Sequence, residues 1–119
     1  MYTPLAPPTP LKVLVVDDNV DAADLLAMFL ETSGHKVVVQ YSSADALETA
    51  SVEKYDVFLL DIGLPDMDGN VLARRLRMSS QSAHATLIAV TGYGQEYDKE
   101  SSIAAGFDYY FLSLPIRIC

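Results

Sequence analysis

Short apolar runs alternate along this chain with stretches whose apolar residues recur every three or four positions. The runs are rich in β-branched residues and bounded by turn formers, the pattern of strands buried on both faces of a parallel sheet. Leu11 to Val16 reads as the first strand, Lys36 to Gln40 as the second, and the run from Val57 to Leu60, ending at Asp61, as the third. Thr86 to Val90 is the fourth and Asp108 to about Ser113 the fifth. Between them, Ala22, Leu25, Leu26, Phe29 and Leu30 fall at helical spacing, and Gly34 supplies a stop, so the first helix is predicted from Asn19 or Val20 to Ser33. Further helices are predicted from Ser43 to about Ala50, from Gly69 onward with Val71, Leu72, Arg75 and Leu76 alternating faces, and from Gln95 to Ala105. Strand and helix alternating through short loops predicts an α/β domain: a parallel sheet, right-handed crossovers, and helices on both faces.

The polar residues at the strand ends change the picture from architecture to chemistry. Asp17 and Asp18 end the first apolar run, Asp61 ends the third, and Thr91 follows the fourth. The carboxyl ends of strands in an open parallel sheet are where ligands bind, so these residues are expected at one sheet edge. Three anions brought together repel one another, and a hard divalent cation with oxygen ligands relieves that repulsion. The pattern points to Mg²⁺ and a phosphoryl group.

Composition narrows the classes. At 119 residues and 13.0 kDa the chain makes one domain, able to bury roughly two-thirds of its unfolded surface. Residues 1–10 hold four prolines and no charged side chain, an extended lead-in, so the domain proper is expected over residues 11–119. A net charge of -8 and a pI near 4.4 argue against nucleic acid as a partner. The single cysteine, Cys119, leaves no internal disulfide and no structural zinc set. No apolar stretch reaches the ~20 residues that cross a bilayer, and no signal-peptide order opens the chain, so a cytoplasmic protein without a membrane partner is expected.

The loop Asp61-Ile62-Gly63-Leu64-Pro65-Asp66-Met67-Asp68-Gly69, set after the third strand, resembles that of response-regulator receiver domains of two-component signalling. The resemblance runs from Leu11 to Pro115. It joins the acidic pair Asp17-Asp18, an aspartate four residues before a proline and eight before a glycine, and Thr91-Gly92 thirty residues beyond Asp61. The wording of this loop and of Thr91-Gly92-Tyr93-Gly94-Gln95 is most similar to receivers of hybrid sensor histidine kinases. The resemblance implies a flavodoxin-like, doubly wound sheet of five strands in the order 2-1-3-4-5. It also implies Asp61 as the phosphoacceptor, with Mg²⁺ bound by Asp61, by Asp18 directly, by Asp17 through water, and by the carbonyl of Gly63. Thr91 would donate to a phosphoryl oxygen. The partner would be a sensor histidine kinase or a histidine phosphotransfer domain in a phosphorelay. Such a domain is a switch, not a turnover enzyme, though it assists its own phosphorylation and slow dephosphorylation.

Two departures from the family stand out. Receivers carry a lysine just before the proline after strand five. Here counting from Thr91 or Gly106 places that position at Ser113, and counting back from Pro115 places it at Leu114. Neither is cationic, and the disagreement suggests an extra residue in strand five. The same offset leaves Tyr110 or Phe111 as the aromatic that rotates on activation. Past Pro115 stand only four residues where the family has a fifth amphipathic helix, which suggests a shortened or altered chain or a natural departure. With that helix missing, an apolar face beside helix one and strand five is expected to drive self-association.

Bland readings suffice for the remaining candidates. Asp66 and Asp68 read as solvated loop acids, with Asp68 able to cap the helix after Gly69. Asp56 opens its strand at the opposite edge. His35 and His84 have no ligating neighbour in sequence, and Arg74, Arg75 and Arg77 read as a solvated helix face. Met28, Met67 and Met78 read as packing or surface residues, and Cys119 as an exposed thiol. Two other functions compete. A pseudo-receiver would keep the pocket but act as an interaction module or phosphate sink without the lysine. An aspartate-nucleophile phosphatase would need a second carboxylate two residues after Asp61, where Gly63 stands.

Overall fold

The computed structural model describes residues 10–92 and 98–113. Five strands, β1 (Lys12–Val16), β2 (Lys36–Gln40), β3 (Val57–Asp61), β4 (Thr86–Gly92) and β5 (Tyr109–Ser113), alternate with four helices. The helices are α1 (Val20–Thr32), α2 (Ser43–Val52), α3 (Gly69–Met78) and α4 (Lys99–Ala105). All pairings are parallel and the strand order is β2-β1-β3-β4-β5, as the resemblance implied. The fourth helix starts at Lys99, later than the expected Gln95, which lies outside the described residues, because Asp98 is extended and caps it by accepting from the Glu100 and Ser101 amides. The chain beyond Ser113, where a fifth helix would follow, also lies outside the described residues.

Alternation along the central strands separates two apolar layers. Leu14, Val16, Phe58, Leu60, Leu87 and Ala89 pack with Ala46 and Ala50 of α2, Leu72, Ala73 and Leu76 of α3, and Ala105 of α4. Val13, Val15, Leu59 and Val90 face the other way, against Ala23, Leu26 and Leu30 of α1. Strands covered on both faces can carry no polar side chain until they leave the sheet, so β1 and β3 read as unbroken apolar runs. The first positions free of that constraint are the strand ends. That is where Asp17 and Asp61 stand.

The helix stops are local. Gly34, at φ 97°, and Gly106, at φ 110°, turn the chain after α1 and α4 in the left-handed region that glycine tolerates. Helix α2 extends two residues past the expected Ala50, its last residue Val52 exposed, so no buried position marks its end in the apolar period. Three expectations need correction. Arg77 is no solvated face residue: its guanidinium donates to the carbonyls of Ala83, Ala85 and Gly106 and to Asp108 Oδ2, clamping the end of α3 to the start of β4 and the α4–β5 turn. Asp66 is anchored to α2, as shown below. Strand β5 pairs with β4 residue for residue through Ser113 opposite Gly92, so no extra residue interrupts it.

Candidate functional site

Each acid of the sheet edge is placed by its own strand. Val16 pairs with Leu60, so Asp17 and Asp61 leave adjacent strands nearly side by side, and Asp61 is register partner to Val90, one residue before Thr91. Asp17, Asp18 and Asp61 each offer a carboxylate oxygen, and the three oxygens lie within 4.8 Å of one another. Thr91 is buried at the same edge. The four residues expected to act together are brought together.

Backbone amides orient this cluster. The Asn19 N–H donates to Asp17 Oδ1 at 2.9 Å, while the Asn19 side chain caps α1 by accepting from Ala22 N–H at 3.0 Å. The Gly63 N–H donates to Asp61 Oδ1 at 3.0 Å. Neither acid can therefore swing freely into solvent to escape its neighbour. Asp18, by contrast, is exposed.

The crowding shows in Asp17. Its carboxyl is pushed up to about 6, first by burial and then by the charge of Asp61, a hydrogen bond with that carboxyl, and the charge of Asp18, with the Asn19 amide opposing. Carboxylates this close repel one another once they are ionised, and a bound cation relieves that repulsion. The donor set fits Mg²⁺: oxygen ligands only, few carboxylates, and an open side for the waters this ion retains.

The loop after Asp61 is fixed at several points. Asp68 caps α3, its Oδ1 accepting from Asn70 N–H at 2.7 Å, as expected. Gly69 donates its N–H to Ile62 O at 3.0 Å, and a Cβ there would lie 2.7 Å from both Asp61 O and Ile62 Cα, so only glycine allows α3 to start against the strand end. Asp66, expected in solvent, accepts from the Ser43 and Ala44 amides at 3.2 and 3.1 Å. Burial works to raise its carboxyl, but these amides outweigh that and hold it below the usual range. Sequence reasoning missed this contact because 22 residues or more separate the partners, and backbone amides carry no mark in the sequence.

A family model described as the response regulator receiver domain matches residues 13–115. The chain belongs to that family. Among relatives of this receiver domain, the alkaline phosphatase synthesis transcriptional regulatory protein PhoP of Bacillus subtilis is 35% identical over 99 residues, 83% of this chain but 40% of PhoP. Hybrid signal transduction histidine kinase L of Dictyostelium discoideum is 38% identical over 112 residues, which span 89% of this chain and 6% of the kinase. The receiver thus matches only part of these longer proteins. A solved relative is the receiver domain of sensor histidine kinase PA1611 from Pseudomonas aeruginosa, with a magnesium ion coordinated in its active-site cleft. It superposes with a TM-score of 0.78 at 26% identity, covering 87% of this chain and 85% of that one.

The remaining expectations concern strand five and the surface. Tyr110 pairs with Ala89, whose side chain joins the α2/α3/α4 layer, and Phe111 pairs with Val90 of the α1 layer. Two residues along β4 from Ala89, Thr91 lies on the same face as Tyr110. Asp56 accepts from Lys12 N–H at the opposite edge, and His35 Nδ1 accepts from Leu11 N–H, both structural contacts. Among the described residues no helix is long and apolar enough to cross a membrane.

Proposed function

We propose that this receiver domain takes a phosphoryl group onto Asp61 from a phosphohistidine of a sensor histidine kinase or histidine phosphotransfer domain, and changes conformation in response. The observation that carries the proposal is the meeting of carboxylate oxygens from Asp17, Asp18 and Asp61 within 4.8 Å beside a buried threonine hydroxyl. In the transfer, a carboxylate oxygen of Asp61 forms a bond to phosphorus while the bond from phosphorus to the donor imidazole nitrogen breaks. The electron pair stays on that nitrogen, which is then protonated. Asp17, Asp18, Asp61 and the Gly63 carbonyl would hold Mg²⁺, which offsets the negative charge of carboxylates and phosphoryl group alike. The Gly63 amide keeps Asp61 aimed, and Thr91 donates its hydroxyl to a phosphoryl oxygen. Tyr110, on the Thr91 face of the sheet, is the better placed of the two aromatics to follow that hydroxyl when it moves.

Intact mass after incubation with Mg²⁺ and a small acyl-phosphate donor tests the reading. One acid-labile phosphoryl mass is expected, lost without Mg²⁺ and lost in Asp61→Asn. Retention of that mass on the Asn variant refutes the assignment. The absence of a cation at Ser113 or Leu114 favours one second reading, a pseudo-receiver that binds Mg²⁺ and a partner without switching. Wild type that binds Mg²⁺ but takes no phosphoryl group from either donor class supports it.

A further inference from the structure

The loop from Ile62 to Asp68 is held at its ends by β3 and α3, and in the middle by one carboxylate that belongs to neither. Asp66 spans from this loop to the first turn of α2, one oxygen on the Ser43 amide at 3.2 Å and the other on the Ala44 amide at 3.1 Å. Ser43 completes the link in the reverse direction: its hydroxyl, fully buried, donates to Met67 O at 3.0 Å. Ser42 caps the same helix by accepting from Asp45 N–H. The amides left over by that cap are therefore answered from the loop. Leu64 and Met67 pack against the core layer that includes Ala46 of α2, so the loop and the helix share a floor as well as a seam.

We propose that Asp66 is a positioning residue for the metal site. It fixes the middle of the loop to α2, and this holds Gly63 where its carbonyl and amide serve the acidic cluster. The inference rests on the proposed metal reading. Without Asp66 the loop keeps its ends, through Gly63 N–H to Asp61 Oδ1 and Gly69 N–H to Ile62 O, and its Leu64 and Met67 contacts, but it loses the two amide bonds that fix its centre to the start of α2. A loop that occupies the competent shape for only a fraction of the time binds more weakly by that fraction.

The test uses the whole chain and Mg²⁺ alone, by calorimetry well below the melting temperature, with three variants. Asp66→Ala should weaken Mg²⁺ binding about threefold to tenfold, the fold-change that one ordinary net hydrogen bond is worth, since the remaining loop contacts retain part of the positioning. Asp66→Asn, which keeps an amide acceptor, should recover part of it. Asp45→Asn removes one negative charge from the same helix turn without touching the loop, and should leave affinity within about twofold. In the metal-free protein, hydrogen exchange at the Gly63 amide should speed up in Asp66→Ala only. Wild-type affinity in Asp66→Ala, or an equal loss in Asp45→Asn, overturns the proposal, since a purely structural or long-range charge role predicts those results. Wild type that binds no Mg²⁺ overturns the metal reading itself and the positioning role with it.

Discussion

Asp17→Asn should stabilise the metal-free domain, and the gain should vanish on acidification. In the folded protein the Asp17 carboxyl is raised from 3.8 to about 6, chiefly by burial and by the Asp61 and Asp18 charges. At full value that rise corresponds to ~3 kcal/mol, and because the carboxyl is only half removed from water, screening leaves about 1–2 kcal/mol. Asparagine keeps the side-chain oxygen that accepts from the Asn19 amide, so the substitution removes the charge and spares the loop. At roughly 2.1 cal/mol/K per residue of unfolding entropy, the gain amounts to about 4–8 °C in Tm.

The pH dependence gives the direction. Below 3.8 the group is protonated in folded and unfolded chains alike, and wild type and variant should coincide. As pH rises from there toward 6, the unfolded chain gives up its proton first, so wild-type stability falls while the variant lacks this loss. Above 6 the gap should be constant. Thermal unfolding by circular dichroism in chelator, from pH 4 to 8, measures it. Millimolar Mg²⁺ should close or reverse the gap, because the metal stabilises wild type by mass action and binds the variant less well. A gap of the same size at pH 4 and pH 8, or a less stable variant at pH 8, refutes the reasoning.

Two further outcomes follow from the same geometry. Arg77→Ala should cost about 2–3 kcal/mol in urea unfolding, since the carbonyls of Ala83, Ala85 and Gly106 lose a charged donor, and Arg77→Lys should recover less than half because an ammonium cannot reproduce the fork. Ser113→Lys should speed phosphorylation from a small donor at least tenfold, while Leu114→Lys should not, because β5 runs in register to Ser113 opposite Gly92, beside Thr91; the reverse result would place the family's cation position at 114.

The strands and the acidic edge were legible because both depend on local pattern, whereas the strand order came from the family resemblance. Val13 to Val16 and Val57 to Leu60 are apolar without interruption, and an acid directly after such a run must sit at a sheet edge. What stayed hidden depends on partners distant in sequence. Arg77 looked like any exposed helix cation because its acceptors are backbone carbonyls, which every residue has and no side-chain pattern announces. Asp66 looked like a loop-tip acid for the same reason, its partners being amides of α2. Asp17 and Asp18 were adjacent letters of one type. Local pattern does not distinguish them, the resemblance gave them different roles at the metal, and the fold separates them by burial, with Asp17 half-buried and Asp18 exposed.

That difference bears on how the site stores a response. Asp17 and Asp61 are held by amides of Asn19 and Gly63, so their repulsion cannot relax by rotation and remains a cost to the empty fold. Any cation that lifts this cost draws on the strands, on the start of α1 through Asn19, and on the loop through Gly63. The loop in turn is tied to α2 through Asp66 and to α3 through Asp68 and Gly69. The acidic cluster and its loop are thus bonded to the N-terminal ends of three helices, to α1 through Asn19, to α2 through Asp66, and to α3 through Asp68 and Gly69. Ser102 of α4, buried and donating its hydroxyl to Asn70 Oδ1 in the first turn of α3, extends the connection to the fourth. A change in charge at Asp61 thus has a bonded route to α4 through the loop and the start of α3, and the direct check is whether Ser102→Ala lowers the amide chemical-shift response of α4 to Mg²⁺ while leaving that of α1 intact.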